Sequence, residues 1–193
     1  MGDRMRDLVS EAIVFSTKAH DGMRRRKSET PYVLHPLEVG VIVGSMTSDQ
    51  EIIAASILHD VVEDAGITID EIGENFGARV KELVSSETEN KREELPPEET
   101  WMIRKQESIE KLKNSEDIAV LMLWMGDKLS NIRAIYRDFL VQGDAVWEKF
   151  HQSDVKVQAW YYRSILKYTE RLSNTLAWLE YKTIVEKLFG VED

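Results

Sequence analysis

The chain has 193 residues, of which 42% are apolar. That is roughly 80 side chains, enough for one core without metal or disulfide staples and too few for two ordinary domains. The absence of cysteine excludes disulfides and thiolate-ligated zinc. The formal charge of −10 (25 basic against 35 acidic residues) repels a phosphodiester backbone and argues against a nucleic-acid partner. No apolar run approaches the roughly 18 residues of a membrane span, and Met1 to Asp7 is too polar for a signal peptide. The expectation is one soluble, cytoplasmic domain over residues 1–193, with no membrane partner.

The dominant period is helical. Leu8, Ala12, Phe15 and Ala19 share one face of a first helix, which Asp21-Gly22 stops. A basic cluster, Arg24-Arg25-Arg26-Lys27, and a polar turn lead to Pro31-Tyr32. His35-Pro36 opens a second helix, running to about Met46, because proline suits the first helical turn. Asp49 caps a third, expected from Gln50 to Asp64. Thr68-Ile69-Asp70-Glu71 fits a capping box before a short helix ending at Phe76-Gly77, and another covers Ala78 to Ser86. The segment Glu87 to Glu99 is charged and interrupted by Pro96-Pro97, and reads as a surface connection or a lid. A helix resumes near Thr100. Met122, Met125, Leu129, Ile132, Tyr136 and Phe139 then step by 3 and 4, which makes the apolar run from Ile118 part of one long buried helix. Trp147 and Phe150 fit a short helix, and Val155 to Leu188 a final long one. No strand-like run finds a partner, so the predicted class is all-α.

Four histidines are present: His20, His35, His59 and His151. His59 is followed directly by Asp60 at the end of an otherwise apolar helix, and burying both costs several kcal/mol unless something compensates them. A divalent cation would. Glu63 and Asp64 lie four residues beyond His59 and Asp60, so four functional groups line two helical turns. Clustered carboxylates raise one another's pKa unless a cation sits among them. Asp127, Asn131, Ala134 and Asp138 form a polar stripe on the long helix, which is either a solvated face or part of a site. With His35, His59 and Asp60, Asp127 completes two imidazoles and two carboxylates. Such mixed N/O ligands suit Mn²⁺, Fe²⁺ or Zn²⁺.

The ordered series His35, His59-Asp60, Asp127 resembles the HD metal-dependent phosphohydrolases. Pro31-Tyr32-Val33-Leu34-His35-Pro36, Leu58-His59-Asp60-Val61-Val62-Glu63-Asp64, Phe76-Gly77 and Gly126-Asp127-Lys128-Leu129-Ser130-Asn131-Ile132-Arg133 resemble, more narrowly, the hydrolase domain of the RelA/SpoT homologues over about residues 5–140. With no room for a synthetase domain, the chain is similar above all to the stand-alone small alarmone hydrolases. The resemblance implies an HD-type helical fold, Mn²⁺ as the usual metal, and removal of the 3′-pyrophosphate of (p)ppGpp in the stringent response. Against the RelA/SpoT pattern, the Arg-Lys pair has more than one register in the basic cluster. Ser130 and Ala134 stand where that pattern has histidine and, often, threonine.

On this reading His35, His59, Asp60 and Asp127 hold the metal. Glu63 activates or positions the water, and Asp64 supports it. Arg25, Arg26, Lys27 and Ser28 face the phosphates, and Asn131 offers a donor and an acceptor to the ribose or a phosphate. Arg104-Lys105 adds charge to the patch, whereas Trp160-Tyr161-Tyr162 reads as core. The partner is a small nucleotide, and the oligomeric state is not set by sequence. Two alternatives stay open: an HD phosphohydrolase acting on a nucleoside monophosphate or NADPH, and a non-catalytic nucleotide sensor.

Overall fold

Capping chemistry fixes where most helices begin. In a computed structural model describing residues 7–25, 28–90, 92 and 94–191, α1 (Leu8–Ala19) starts behind Asp7, whose carboxylate accepts from the Ser10 amide at 3.1 Å. Then come α2 (Leu34–Gly44) and α3 (Gln50–Leu58), the latter capped by Asp49 through the Glu51 and Ile52 amides. The one-turn α4 (Val61–Asp64) follows. Thr68 and Glu71 form the predicted capping box of α5 (Ile69–Phe76), and Gly77, with φ at 93°, turns the chain into α6 (Ala78–Glu87).

The chain divides into two compact units, Met1–Thr88 and Glu89–Asp193. In the first, α3 packs against α1, α2 and α6. Six of its nine residues are buried, which is why its sequence lacks a polar face. Gly40 of α2 makes the approach possible: a Cβ there would lie 2.5 Å from Ile57 Cγ1. Phe15 meets Phe76 edge to face at 5.3 Å.

The second unit contains α7 (Pro97–Asn114), α8 (Ile118–Gln142), a 3-10 segment Gly143–Lys149, α9 (Val155–Tyr168), a 3-10 turn Glu170–Leu172 and α10 (Leu176–Phe189). α8 is the predicted long buried helix, and it packs on α10 and α9. Tyr161 and Tyr162 are core residues, as read from the sequence, while Trp160 is partly exposed. No strand occurs among the described residues, only an isolated bridge between Arg24 and Pro31. None of the described helices is long and apolar enough to cross a membrane.

Three boundaries differ from expectation. α7 opens at Pro97, the N1 position where proline loses nothing, rather than at Thr100. The expected helix Val155 to Leu188 breaks at Thr169, whose Oγ1 donates back to the Ile165 carbonyl at 2.7 Å, and Thr175 caps a new helix through the Trp178 amide. The run Thr169 to Thr175 is dense in Ser, Thr and Asn, which compete with the helical ladder. The third difference is the expected helix Gln50 to Asp64, which stops at Leu58 and resumes at Val61. His59 and Asp60 form the joint.

The connection after α6 is pinned to α7. Glu89 accepts from Lys105 Nζ at 2.7 Å, Ser108 Oγ at 2.9 Å and Arg104 at 3.2 Å, and Arg92 pairs with Glu107 at 2.7 Å. Arg104 and Lys105 therefore serve a local carboxylate. Burial disfavours the Glu89 anion, but Lys105 and Lys128 outweigh it and pull the carboxyl from 4.5 down to about 2. The Lys105 amine also shifts down, because burial removes more than Glu89 restores. The acid dependence of this cluster is carried by Glu89. Its folded value lies below its unfolded one, so its contribution is complete above about pH 4.5 and is lost as pH falls toward 2. The contribution is about 3 kcal/mol. Thermal melts of wild type and Glu89→Gln should differ by about that amount at pH 7 and converge only as pH falls below about 2. Parallel melting curves across that range would count against this role.

Candidate metal centre

In the first unit the joint between α3 and α4 gathers the predicted groups. The Ser56 carbonyl, which an unbroken helix would offer to the Asp60 amide, accepts instead from His59 Nδ1 at 2.8 Å. A carbonyl can only accept, so the proton sits on Nδ1 and Nε2 presents a lone pair. That Nε2 lies 3.1 Å from Asp60 Oδ2, and His35 Nε2 lies 3.3 Å from the same oxygen. Both rings are 3% exposed and Asp60 is 17% exposed. His35 reaches the point from the first turn of α2, and its ring meets that of His59 edge to face at 5.2 Å.

A bare imidazole nitrogen facing a carboxylate oxygen in a buried setting is repulsive unless a proton or cation intervenes. Burial works against the Asp60 charge, but His59 and His35, when each ring carries its second proton, outweigh it and hold the carboxyl well below its ordinary range, a part a cation can take over. This donor set, two imidazoles and a carboxylate anion, fits a divalent ion. Tyr32, three residues before His35, donates its hydroxyl to Asp60 Oδ2 at 2.7 Å, and the Asp64 carboxylate also bears on that hydroxyl. Burial, then the Asp60 charge, push the phenol far up, so it remains a donor. Glu63 and Asp64 are half-buried on α4.

In the second unit Asp127 is a buried residue of α8 with both oxygens engaged. Asn131 Nδ2 donates to Oδ1 at 2.5 Å, and Lys128 pairs with Oδ2. The Lys128 ammonium stands 4.8 Å over the Trp124 ring. Asn131, expected to face substrate, donates one of its two amide hydrogens to Asp127.

The predicted phosphate-facing cluster is partly described. The Arg25 guanidinium lies 6.0 Å from the Tyr32 ring centroid. Ser28 is exposed, donating its hydroxyl to Thr30 Oγ1 at 2.9 Å. Arg26 and Lys27 lie outside the described residues. Tyr32 and Lys128 stand within the sequence motifs without a predicted contact, and Glu89 carries no predicted role. Only the proximity of Lys128 to Asp127 was readable, since Tyr32 and Glu89 act across 28 and at least 15 residues.

The His-Asp pair fits the resemblance read from the sequence, and the comparison bears it out: the chain belongs to the HD domain family, whose profile matches residues 12–151. It is 34% identical over 128 residues to a guanosine-3′,5′-bis(diphosphate) 3′-pyrophosphohydrolase of Aquifex aeolicus, covering 66% of this chain and 18% of that protein. It is 32% identical over 131 residues to a GTP pyrophosphokinase of Myxococcus xanthus, covering 67% of this chain and 17% of that one. The chain thus spans less than a fifth of the length of these curated relatives. Among solved structures, lmo0812 from Listeria monocytogenes is 30% identical with a TM-score of 0.71, covering 81% of this chain and 99% of that one. A metazoan ortholog of SpoT, described as hydrolysing ppGpp and acting in starvation responses, shares the fold. Its TM-score is 0.75 at 23% identity, over 98% of this chain and 100% of that one.

Proposed function

We propose that this chain is a single HD-type hydrolase domain that removes the 3′-pyrophosphate of (p)ppGpp, releasing pyrophosphate and GDP or GTP. The convergence of His35 and His59 on one oxygen of Asp60 carries the reading. Family membership and the name of the Aquifex aeolicus relative support it. His35, His59, Asp60 and Asp127 would hold the ion. Their nitrogen and oxygen donors suit Mn²⁺, with other divalent ions acceptable. When bound, such an ion polarises a phosphoryl oxygen and lowers the pKa of a coordinated water.

The side chains do the rest. Glu63 accepts the proton of the attacking water. Asp64 acts with Tyr32 on the carboxylate of Asp60. Arg25, with Arg26, Lys27 and Ser28, holds the phosphates, arginine by its planar fork and lysine as a point charge. Such a patch is needed because a net charge of −10 otherwise repels a polyphosphate. Asn131 positions Asp127 and turns its amide oxygen to the ribose. The substrate is a small nucleotide in the cytoplasm, within the stringent response, and neither nucleic acid nor membrane takes part.

The test is incubation of purified protein with ppGpp and Mn²⁺, with products resolved by chromatography. GDP and pyrophosphate are expected, their formation abolished by exhaustive chelation and restored by Mn²⁺. Orthophosphate release from a nucleoside monophosphate or NADPH, with ppGpp untouched, would replace the substrate assignment. Binding of ppGpp without turnover would make the protein a sensor.

A further inference from the structure

We infer that Tyr32 is a positioning residue of the metal centre, its hydroxyl locking the Asp60 carboxylate in the orientation on which His35 and His59 converge. The inference rests on the metal reading of these three side chains. Tyr32 is held from every side the structure describes. Its amide donates to the Met23 carbonyl at 3.0 Å, and its carbonyl accepts the His35 amide at 2.9 Å, so the tyrosine and the ligand histidine share one turn. The ring lies 5.1 Å from that of the buried His20 and 5.8 Å from that of His35, with the Arg25 guanidinium at 6.0 Å. His20 is itself anchored, its Nδ1 bonded to the Ser16 carbonyl at 2.9 Å.

A ring confined in this way has little rotamer freedom left to lose, and its hydroxyl reaches Asp60 Oδ2 at 2.7 Å. Asp60 sits at a helix joint, where the backbone ladder does not by itself hold the side chain. A carboxylate rotates about its final torsion with broad preference, so an outside donor is what fixes its plane. Hydrogen bonds to ligating carboxylates commonly contribute 10- to 100-fold in metal affinity.

Tyr32→Phe keeps the ring and removes the donor. Mn²⁺ affinity, read by competition with a chromophoric chelator, is expected to fall about 10-fold or more, equivalent to about 1.4 kcal/mol. His20→Phe serves as the packing control, since it changes the ring beside Tyr32 and leaves the hydroxyl; its affinity should stay within about threefold of wild type. Melting in chelator reports the apo fold of each. Wild-type affinity in Tyr32→Phe, with or without a lower apo melting point, would reduce the hydroxyl to a structural role and overturn the inference. An equal loss in both variants would assign the effect to packing and overturn it too. Wild-type protein that binds no Mn²⁺ would instead sink the metal reading, and this inference with it.

Discussion

Asp127→Ala is expected to leave a folded protein that retains no divalent ion and hydrolyses no ppGpp. Loss of a ligand should exceed the 10- to 100-fold cost of losing a hydrogen bond behind one, so the affinity falls by more than about 100-fold. The fold should tolerate the change. Alanine is a better helix former than aspartate, and the substitution removes a buried charge from α8. Lys128 loses one partner but keeps the Trp124 face, and the Glu89 anion still acts with it. Asp127→Asn separates charge from shape, because it preserves volume and leaves a carbonyl oxygen for Asn131. Metal content after gel filtration and turnover with ppGpp would be measured for both variants. Wild-type metal content in Asp127→Ala would remove this residue from the ligand set.

How much of this was legible beforehand depends on the range of the interaction. Elements specified by neighbours in sequence were readable: the Asp49 cap, the Thr68-Glu71 box and the long apolar face of α8 all rest on spacings of a few residues. The joint at His59-Asp60 was not. Apolar periodicity runs straight through it, and the break comes from an imidazole taking the Ser56 carbonyl, a choice that pattern reasoning does not weigh. The split at Thr169 has the same origin in side chains competing for backbone groups. Long-range partners were hidden for a different reason. Arg104 and Lys105 read as spare positive charge because their carboxylate, Glu89, lies 15 and 16 residues away in a segment taken for a connection or lid. Asn131 is an intermediate case. Its i,i+4 relation to Asp127 is visible in the sequence, and the geometry makes that relation a hydrogen bond.

From the sequence, Glu63 takes the water and Asp64 a supporting part, and in the structure Asp64 bears on Tyr32. The contact is with the Tyr32 hydroxyl, whose hydrogen goes to Asp60, and it suits the supporting part proposed for Asp64. Glu63 is half-buried on the same turn, four residues beyond His59. We keep it as the proposed acceptor of the water proton. Glu63→Gln keeps size and hydrogen bonding but cannot take that proton. Turnover should fall by about 10²-fold or more, the range expected when a general base is lost, while metal content and melting point stay near wild type. Asp64→Asn should behave differently, weakening Mn²⁺ binding through Tyr32 and Asp60 before it touches the chemical step. Single-turnover rates at saturating Mn²⁺, with metal affinity measured in parallel, distinguish the two. Glu63→Gln with undiminished turnover would pass the role of base to Asp64, and Asp64→Asn would then show the deep loss at saturating metal.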